Sequence, residues 1–418
     1  MGYTIAEKIL AEKSGMEAKA GSLVVTDVDV IMAHDSLGPM ALEALAEMGD
    51  IRIPRPEAIC FMTDHLVPAP ARNYAQMQKQ MREFARQWGI RQYGVGDGIC
   101  HQLLVEKEVR PGQVVIGTDS HTCMGGALNA FATGVGSTDA AAAMATGQLW
   151  FKVPETIRVV LHGALPDGVF AKDLILFLIG KFTAEGANYK SVEMAGETLS
   201  TLSMSSRFTI CNMGIEMGAK AVILEVDEIT RQWLEKSRLP GPIEPVTPDG
   251  NAVYVQTLEI SVDQLEPQIA KPHTVDHVVP LREVAGTPIH EVVIGTCTNG
   301  RLEDLVIAAD ILKAKRIAQD MSLIVIPASR SVLLEAMGKG VIATLIEAGA
   351  TLIAPGCGPC VGVHGGIPAD GDNVLSTANR NFQGRMGNPK ANIFLGSPAT
   401  AAVAALTGKI EDPRKYLF

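Results

Sequence analysis

The stretch Glu291-Val-Val-Ile-Gly-Thr-Cys-Thr-Asn-Gly300 joins a short apolar run to glycine, hydroxyl, thiol and amide side chains. A β-branched run of this length that ends at glycine is typical of a buried strand. The same pattern recurs at 113–122, which ends in Thr-Asp-Ser-His-Thr, and at 350–360, which ends in Pro-Gly-Cys-Gly-Pro-Cys. Parallel sheets bind ligands at the carboxyl ends of their strands. The three strand ends therefore predict one composite site that faces several domains.

The rest of the chain repeats this alternation and predicts the fold class. Short β-branched runs alternate with Ala- and Gly-rich helical patterns from end to end, which is typical of α/β proteins with mainly parallel sheets. The predicted strands lie at 113–116, 157–161, 291–294, 323–326, 350–353 and 392–395, and a predicted helix lies at 137–148.

Two changes in composition suggest domain boundaries. Phe151-Lys-Val-Pro-Glu155 separates an Ala/Gly-rich helix from a new strand, and the segment 239–273 is irregular and rich in proline. The sequence thus predicts three α/β units, at 1–153, 154–282 and 283–418.

Composition excludes several classes of function. The 418 residues are 47% hydrophobic and 20% charged, which is enough for two or three domains with substantial cores. The net charge is −10, and no run of basic residues occurs, so the electrostatic pattern of a nucleic-acid-binding protein is missing. We expect the partner to be a small molecule or another protein.

The start of the chain and its cysteines indicate a compartment. Thr4 and Glu7 match a helix capping box where a secretion signal would need an apolar core. The most apolar run, 173–181, is too short to span a bilayer. Seven cysteines are too few for a secreted disulfide scaffold of this length. We therefore expect a cytoplasmic protein whose important cysteines bind metal or do chemistry.

Cys357 and Cys360 form a CxxC motif that allows three interpretations. A thioredoxin-like pair would open a helix after the first strand of a βαβ unit, whereas this pair lies near the end of the chain. A structural zinc site needs four ligands, and only His364 is a nearby candidate. Together with Cys297, the pair suits an iron-sulfur cluster in which one iron keeps an open position.

The other four cysteines carry no such signal. Free cysteine is commonly a small buried hydrophobe, and we expect this role for Cys60, Cys100, Cys123 and Cys211.

Four ordered motifs resemble one known family. They are Thr118-Asp-Ser-His-Thr122, Ile294-Gly-Thr-Cys-Thr-Asn299, Ala354-Pro-Gly-Cys-Gly-Pro-Cys360 and Ser376-Thr-Ala-Asn-Arg-Asn-Phe-Gln-Gly-Arg385. The chain is similar to the aconitase superfamily, and within it to the large subunits of 3-isopropylmalate dehydratase and homoaconitase. The resemblance extends over nearly the whole chain, from Thr4 to Pro398.

This resemblance implies a fold, a cofactor and a reaction. The fold would be three α/β/α domains with mainly parallel sheets around a central 4Fe-4S cluster held by Cys297, Cys357 and Cys360. The fourth iron would remain open to the substrate hydroxyl and act as a Lewis acid. The reaction would be the dehydration and rehydration that interconvert 2-isopropylmalate and 3-isopropylmalate in leucine biosynthesis. Homoaconitase, or a hydratase of methylated or maleate-type dicarboxylic acids, is the alternative.

The resemblance also assigns roles to side chains. The catalytic positions are Asp64, His65, His101, Asp119, His121 and Glu216. The substrate-binding positions are His34, Ser120, Arg380 and Arg385, and the amides next to the cluster are Asn212 and Asn379. Arginines suit carboxylates because the guanidinium fork matches their geometry. His34 stands where aconitase itself has a substrate-binding glutamine, which favours the isopropylmalate branch.

A further expectation concerns a second chain. Aconitase has a fourth, swivelling domain whose Gly-Ser-Ser-Arg segment supplies a serine base, and we expect this domain to be absent from this chain. Met204-Ser-Ser-Arg207 lacks the glycine and is interpreted as a chance match. We therefore expect a separate small subunit, in a heterodimer or heterotetramer. Two rivals are an iron-sulfur protein that binds RNA, which the net charge of −10 disfavours, and a zinc-stabilised binding module.

Overall fold

The computed structural model describes residues 2–49, 52–237, 239, 241 and 243–417. Its strands form four sheets, of which the three larger ones are wholly or mainly parallel. The predicted α/β class is therefore confirmed.

Strands and helices alternate along most of the described chain. The strands are β1 Leu23–Asp27, β2 Val30–His34, β3 Ile59–Met62, β4 Arg91–Tyr93, β5 Val114–Gly117, β6 Phe131–Gly134, β7 Gln148–Lys152, β8 Thr156–His162, β9 Ser191–Ala195, β10 Ala221–Leu224, β11 Gln256–Ser261, β12 Gln268–Ala270, β13 Val278–Pro280, β14 Glu291–Gly295, β15 Ser322–Ile326, β16 Thr351–Leu352, β17 Asn373–Ser376 and β18 Asn392–Leu395. The α-helices are α1 Ile5–Ser14, α2 Gly38–Glu47, α3 Arg72–Trp88, α4 Cys100–Lys107, α5 Ser137–Thr146, α6 Ala171–Phe182, α7 Met204–Met213, α8 Glu228–Ser237, α9 Thr296–Asn299, α10 Leu302–Leu312, α11 Arg330–Gly338, α12 Val341–Ala348 and α13 Pro398–Thr407.

The first large sheet has the strand order β4-β3-β2-β5-β6, and all its neighbours are parallel. The chain starts in the middle at β2, extends to one side through β3 and β4, and then returns to β5 on the other side. The strand order thus reverses between β2 and β5. In open α/β sheets this reversal opens a crevice beyond the carboxyl ends of the two strands.

The sheet of seven strands repeats this plan. Its order is β13-β12-β18-β17-β14-β15-β16, and the run from β18 to β16 is parallel. The order reverses between β14 and β17, so a second crevice lies beyond these strands. The third parallel sheet has the order β10-β9-β8-β11. Helices α6 and α7 follow its strands β8 and β9 along the chain.

One apolar core joins the three large sheets. It contains Met32 of β2, Val192 of β9 and Val293 of β14, and it also includes Cys297 and Cys357. Because apolar burial is the main stabilising contribution to folding, this shared core holds the strand ends of different sheets against one another.

The strand pairing can be compared with the three predicted domain ranges. The parallel strands of each large sheet lie within one range, but β12 and β13, at 268–280, belong to the sheet of the third range. We propose the same three units with the second boundary moved to before Gln268.

The locally predicted elements are confirmed. Each predicted strand overlaps an observed one, and the predicted capping box of Thr4 and Glu7 begins α1. Helix α5 begins at Ser137 as predicted and ends at Thr146, because Gly147 adopts the left-handed conformation with φ 76°. The segment 239–273, predicted to be irregular, contains strands β11 and β12, so that prediction is wrong for these residues. Two of its prolines, Pro240 and Pro242, lie outside the described residues. None of the helices within the described residues is long and apolar enough to cross a bilayer.

Candidate functional site

The predicted site residues follow the strand ends at the two crevices. His34 is the last residue of β2, Asp64 and His65 follow β3, and Asp119 follows β5. From the other sheet, the residues that follow the strands are Cys297 after β14, Cys357 and Cys360 after β16, and Asn379, Arg380 and Arg385 after β17. The helical region at α4 and α7 adds His101, Asn212 and Glu216.

Asp119 is the centre of a network of imidazoles. Its carboxylate lies 3.5 Å from His65 Nε2, 3.1 Å from His101 Nε2 and 3.2 Å from His121 Nδ1. The network continues from His121 Nε2 to Glu216 Oε1 at 2.7 Å, and that oxygen also accepts the Nε–H of Arg380 at 2.8 Å. Three sheets thus contribute to one chain of polar contacts.

The charges in this network stabilise one another. Burial by itself lowers the pKa of His101, but the charge of Asp119 raises it, with a net result of about 10. The pKa of His65 is raised well above its usual value because the negative charges of an ionised Cys357 sulfur and of the Asp64 carboxylate outweigh burial. In return, His101 holds the pKa of Asp119 well below its usual range against the effect of burial. The site therefore contains imidazolium–carboxylate pairs at neutral pH.

His65 is held from two sides. Its Nδ1 lies 2.9 Å from Asp64 Oδ1, and its ring stacks on that of His34, with ring centroids 3.8 Å apart and planes at 16°. His34 is buried, and burial together with the charge of His65 lowers the pKa of His34 to about 3. The neutral ring of His34 thus packs against a charged one.

Asp35 belongs to the site although no sequence motif pointed to it. This buried carboxylate accepts the backbone N–H groups of Asp64, His65 and Leu66 at 3.3, 2.9 and 3.1 Å, and the Gln78 amide at 2.9 Å. Four donors on one carboxylate fix the turn that carries Asp64 and His65. Its position directly after His34 at the end of a strand is the signal that could have identified it.

The three predicted cluster cysteines are buried thiols without disulfide partners. Their exposed fractions are 6% for Cys297, 8% for Cys357 and 6% for Cys360. Asn379 links two of them, because its Nδ2 lies 3.4 Å from Cys297 Sγ and its Oδ1 lies 4.0 Å from Cys360 Sγ. The third, Cys357, lies beside the histidine network, with Sγ 3.6 Å from Asp64 Oδ2.

Hydrogen-bond donors point at these sulfurs. Arg385 Nη2 lies 3.3 Å from Cys360 Sγ, and Asn379 donates to Cys297 while Asn212 accepts from Asn379 at 3.2 Å. Burial would raise the pKa of Cys297, but the hydrogen bond and charge of His101 lower it to about 6. Burial raises the pKa of the Cys357 thiol well above its usual value, although the charge of His65 opposes this shift. Iron binds the thiolate form, and the three buried sulfurs with donors at Cys297 and Cys360 fit an iron-sulfur cluster.

Close backbone approach brings the cysteine loop to the arginine loop. A Cβ on Gly362 would lie 2.7 Å from the carbonyl oxygen of Arg385, and the φ of Gly362 is 73°. Only glycine fits both conditions. The loop after Cys360 can therefore lie directly against the turn that carries Arg385.

Other predicted residues lie outside the network. Ser120 lines a neighbouring cavity with Thr118 and Lys220, at the edge of the site. His364 Nε2 contacts the backbone oxygen of His65 at 2.9 Å, so its ring supports a loop. Arg207, of the segment interpreted as a chance match, is buried in an ion pair with Asp227.

The remaining cysteines behave as predicted. Cys60, Cys100, Cys123 and Cys211 are buried, and burial raises the pKa of each of their thiols. Cys100 also supports the site, because its backbone N–H donates to Asp64 Oδ2 at 2.7 Å.

Comparison with known proteins identifies a matching family and several similar proteins. The profile of the aconitase family (aconitate hydratase) matches residues 7–288 and 282–408. The chain is 50% identical, over 100% of both chains, to the protein of Methanopyrus kandleri named 3-isopropylmalate dehydratase large subunit 1. It is 49% identical, again over 100% of both, to large subunit 2 of Archaeoglobus fulgidus. It is also 50% identical to the probable methanogen homoaconitase large subunit of Methanosarcina mazei, over 94% of this chain and 100% of that one.

A solved structure agrees with these matches at the level of the fold. Aconitase X from Thermococcus kodakaraensis superposes with a TM-score of 0.50 at 13% identity, and the match covers 85% of this chain and 84% of the other. The full-length similarity and the site geometry lead to one conclusion: this chain belongs to the aconitase family.

Proposed function

We propose that this chain is the large, cluster-bearing subunit of a hydro-lyase that interconverts 2-isopropylmalate and 3-isopropylmalate. The observation that carries the proposal is the position of three buried thiols beside the Asp119 network and the two arginines. In this proposal the thiols are metal ligands, the imidazoles are proton donors and the arginines bind carboxylates, and their closeness at one pair of crevices supports these roles.

In this proposal Cys297, Cys357 and Cys360 hold a 4Fe-4S cluster, and Asn212 and Asn379 support it through hydrogen bonds near the sulfurs. When bound, the cluster supplies Lewis acidity at the iron that lacks a cysteine ligand. Donors to sulfur stabilise its negative charge, so Arg385 and Asn379 would also adjust the reduction potential.

His65 is the proposed acid. Its raised pKa keeps the ring protonated, and Asp64 binds Nδ1 and so orients the ring. The proton at Nε2, on the side of Asp119, can then pass to a departing hydroxyl group, and the ring takes a proton back from water in the reverse direction. Asp119 is kept in place by His101 and His121, and Glu216 binds the other ring nitrogen of His121. These three residues carry the rest of the network's charge.

Arg380 and Arg385 are the proposed carboxylate-binding groups. Glu216 fixes the plane of Arg380 through Nε, and Nε of Arg385 is buried with no partner among the described residues. A buried donor without an acceptor is unfavourable until a ligand supplies one. A dicarboxylic acid would supply acceptors to both guanidinium groups. His34 and Ser120 would contact the substrate at the edge of the same site.

We assign the base that removes the carbon-bound proton to a separate small subunit, because the curated relatives carry the name of a large subunit. A second chain would also complete the pocket around the variable side group of the substrate. An isopropyl group needs an apolar surface there, whereas a longer acid needs another cation. Homoaconitase activity is the second candidate, since a Methanosarcina mazei relative has that name.

The test is anaerobic coexpression with a candidate small subunit, followed by assays on 2-isopropylmalate, homocitrate, citrate and citramalate. We expect equal amounts of iron and acid-labile sulfide in this chain, and the highest kcat/KM for 2-isopropylmalate only when both chains are present. Higher kcat/KM for homocitrate would establish the second candidate. Bound zinc with no acid-labile sulfide would overturn the cluster assignment.

A further inference from the structure

Two buried basic side chains bind backbone oxygens close to the proposed ligand Cys297, one in its own turn and one in the turn of Asn379. Lys172, in the first turn of α6, has an exposed fraction of 0%, and Arg301, just after α9, has one of 3%. Among the described residues, neither head group forms an ion pair with a carboxylate, and both donate mainly to backbone oxygens. Burying a charge without a paired counter-charge costs several kcal/mol in general. The burial of these two charged groups therefore requires a source of stabilisation.

Lys172 binds the turn that presents the site residues of the third sheet. Its Nζ donates to the carbonyl oxygens of Thr377 and Ala378, each at 2.7 Å. The next residues along the chain are Asn379, which donates to Cys297 Sγ, and Arg380, which binds Glu216. A side chain from the second sheet region thus holds a turn that follows β17.

Arg301 binds the Cys297 turn in the same way. Its Nη1 donates to the carbonyl oxygen of Cys297 at 2.9 Å, and its Nη2 donates to the carbonyl oxygen of Thr298 and to Thr209 Oγ1. Its planar group also lies over the ring of Phe208. Arg301 therefore contacts the backbone of Cys297 itself, whereas Lys172 contacts the backbone next to Asn379, which donates to the sulfur of Cys297.

The neighbouring carboxylates are already engaged. Asp304 accepts the Asn299 amide at 2.9 Å and the backbone N–H of Arg301 at 3.0 Å. Asp173 accepts the backbone N–H groups of Gln268 and Phe170, each at 2.9 Å. Burial raises the pKa of Asp304 to about 6 and that of Asp173 to about 7. Asp304 thus carries a charge at neutral pH, but its oxygens bind the donors named above and do not form an ion pair with either basic head group.

Lys172 depends on nearby negative charge to keep its proton. Burial lowers its pKa to about 7, and the charges of Asp304 and Cys297 oppose this shift. A negative group bound at the thiols would act in the same direction as these charges and would favour the ammonium form. The contact of Arg301 with Cys297 and the electrostatic effect of Cys297 on Lys172 thus connect both basic groups to the proposed cluster ligands.

We propose that Lys172 and Arg301 are positioning residues that fix the turn of Asn379 and the turn of Cys297, respectively, and offset the negative charge of the bound cluster. This inference rests on the proposed function, because it requires the cluster. Three thiolates give the cluster a net negative charge, which grows on reduction. Two nearby cations then favour cluster retention and raise its reduction potential.

The decisive variant is Lys172→Met, which keeps a similar length and removes the charge. The variant removes two hydrogen bonds to buried backbone oxygens, so we expect some loss of stability of the apoprotein in urea and a clearly larger loss in the loaded protein, where the charge is also missing. With the cluster reconstituted anaerobically, we expect a more negative reduction potential and about tenfold faster loss of iron to a chelator. Lys181→Met, at an exposed position of the same helix, is the matched control and should change neither property.

Two further variants complete the test. Lys172→Arg keeps the charge and should retain the wild-type potential. Arg301→Gln removes the other charge and should also make the reduction potential more negative. It tests the charge role if Lys172→Met does not fold.

Three outcomes would overturn the proposal or its foundation. Unchanged potential and unchanged iron loss in both neutral variants would overturn the role toward the cluster. Equal destabilisation of the apoprotein and the loaded protein would reduce Lys172 to a structural clamp and overturn the charge role. Wild-type protein that binds neither iron nor sulfide would instead overturn the proposed function, so the two failures are distinguishable.

Discussion

The carboxylate of Asp35 accepts the backbone N–H of His65 at 2.9 Å, across 30 residues of sequence. This contact ties the end of β2 to the turn after β3, since the same carboxylate also holds Asp64 and Leu66. The orientation of the proposed acid thus depends on a residue that does not itself point at a substrate.

Replacing Asp35 with asparagine should disturb that turn. An asparagine amide would direct its own N–H groups at several of the four donors, so we expect a loss of about 1–3 kcal/mol in the free energy of unfolding. We also expect at least tenfold lower kcat in the assembled enzyme, because the backbone turn that orients Asp64 and His65 would lose part of its support. Urea unfolding and steady-state kinetics measure these effects. Asp167→Asn, at an exposed aspartate, is the control, and equal stability of the two variants would contradict the prediction.

Asp119→Asn should lower the proton affinity of the histidines around it. The carboxylate raises the pKa of His101 to about 10 against the effect of burial. Without this charge we expect the pKa of His101 to fall by at least about 1 unit. Imidazole ¹⁵N chemical shifts followed across pH 6 to 11 report the change. A titration of His101 that matches the wild type would show that another group supplies the charge.

Glu193 provides a test of pH dependence away from the site. Its carboxylate accepts the backbone N–H groups of Ile5 and Ala6 at the start of α1, and burial raises its pKa from 4.5 to about 7. Between these two pH values the folded protein keeps a proton that the unfolded chain releases. Stability from this group is therefore present below about pH 4.5 and is lost as the pH rises to about 7.

The variant Glu193→Gln removes this titration and can keep the oxygen that caps α1. We expect a flatter dependence of stability on pH and a gain of about 1–3 kcal/mol at pH 8 relative to the wild type. Urea unfolding between pH 5 and pH 8 measures both. Glu12→Gln, on the exposed side of α1, should leave the wild-type slope intact. A slope in Glu193→Gln as steep as in the wild type would assign the effect to other groups.

Cys357→Ser should separate cluster binding from folding. A serine hydroxyl does not replace the thiolate ligand, so we expect little iron and acid-labile sulfide to be bound and no brown colour. The large shared core does not depend on this one thiol, so the circular dichroism spectrum should match that of the wild-type apoprotein. Cys60→Ala, in the core of the first sheet, should retain iron. Full iron content in Cys357→Ser would contradict the ligand assignment.

The local features of the fold could be predicted from the sequence because they depend on neighbours in the chain. Apolar runs that end at glycine marked the strands β5, β14 and β16, and Thr4 with Glu7 marked the start of α1. The ends of elements were less predictable. The helix predicted to reach residue 148 stops two residues earlier, where Gly147 turns left-handed, and strand β16 is only two residues long.

The sheet that a segment joins could not be predicted locally. The segments β12 and β13 lie in the predicted second unit by sequence, yet β12 pairs with β18 and β13 pairs with β12, so both extend the edge of the third sheet. This choice depends on which edge is free after the parallel strands have paired.

The sequence by itself determined the fold class, the strand ends and the reactive residue types, because periodicity and motif order are local properties. Only the tertiary structure decided that Asp119 would serve three histidines, that Asp35 would hold the turn of His65, and that Lys172 would reach a turn 205 residues away. Contacts of this kind form between strand ends brought together by a shared apolar core. They depend on how whole sheets pack, which no short stretch of sequence encodes.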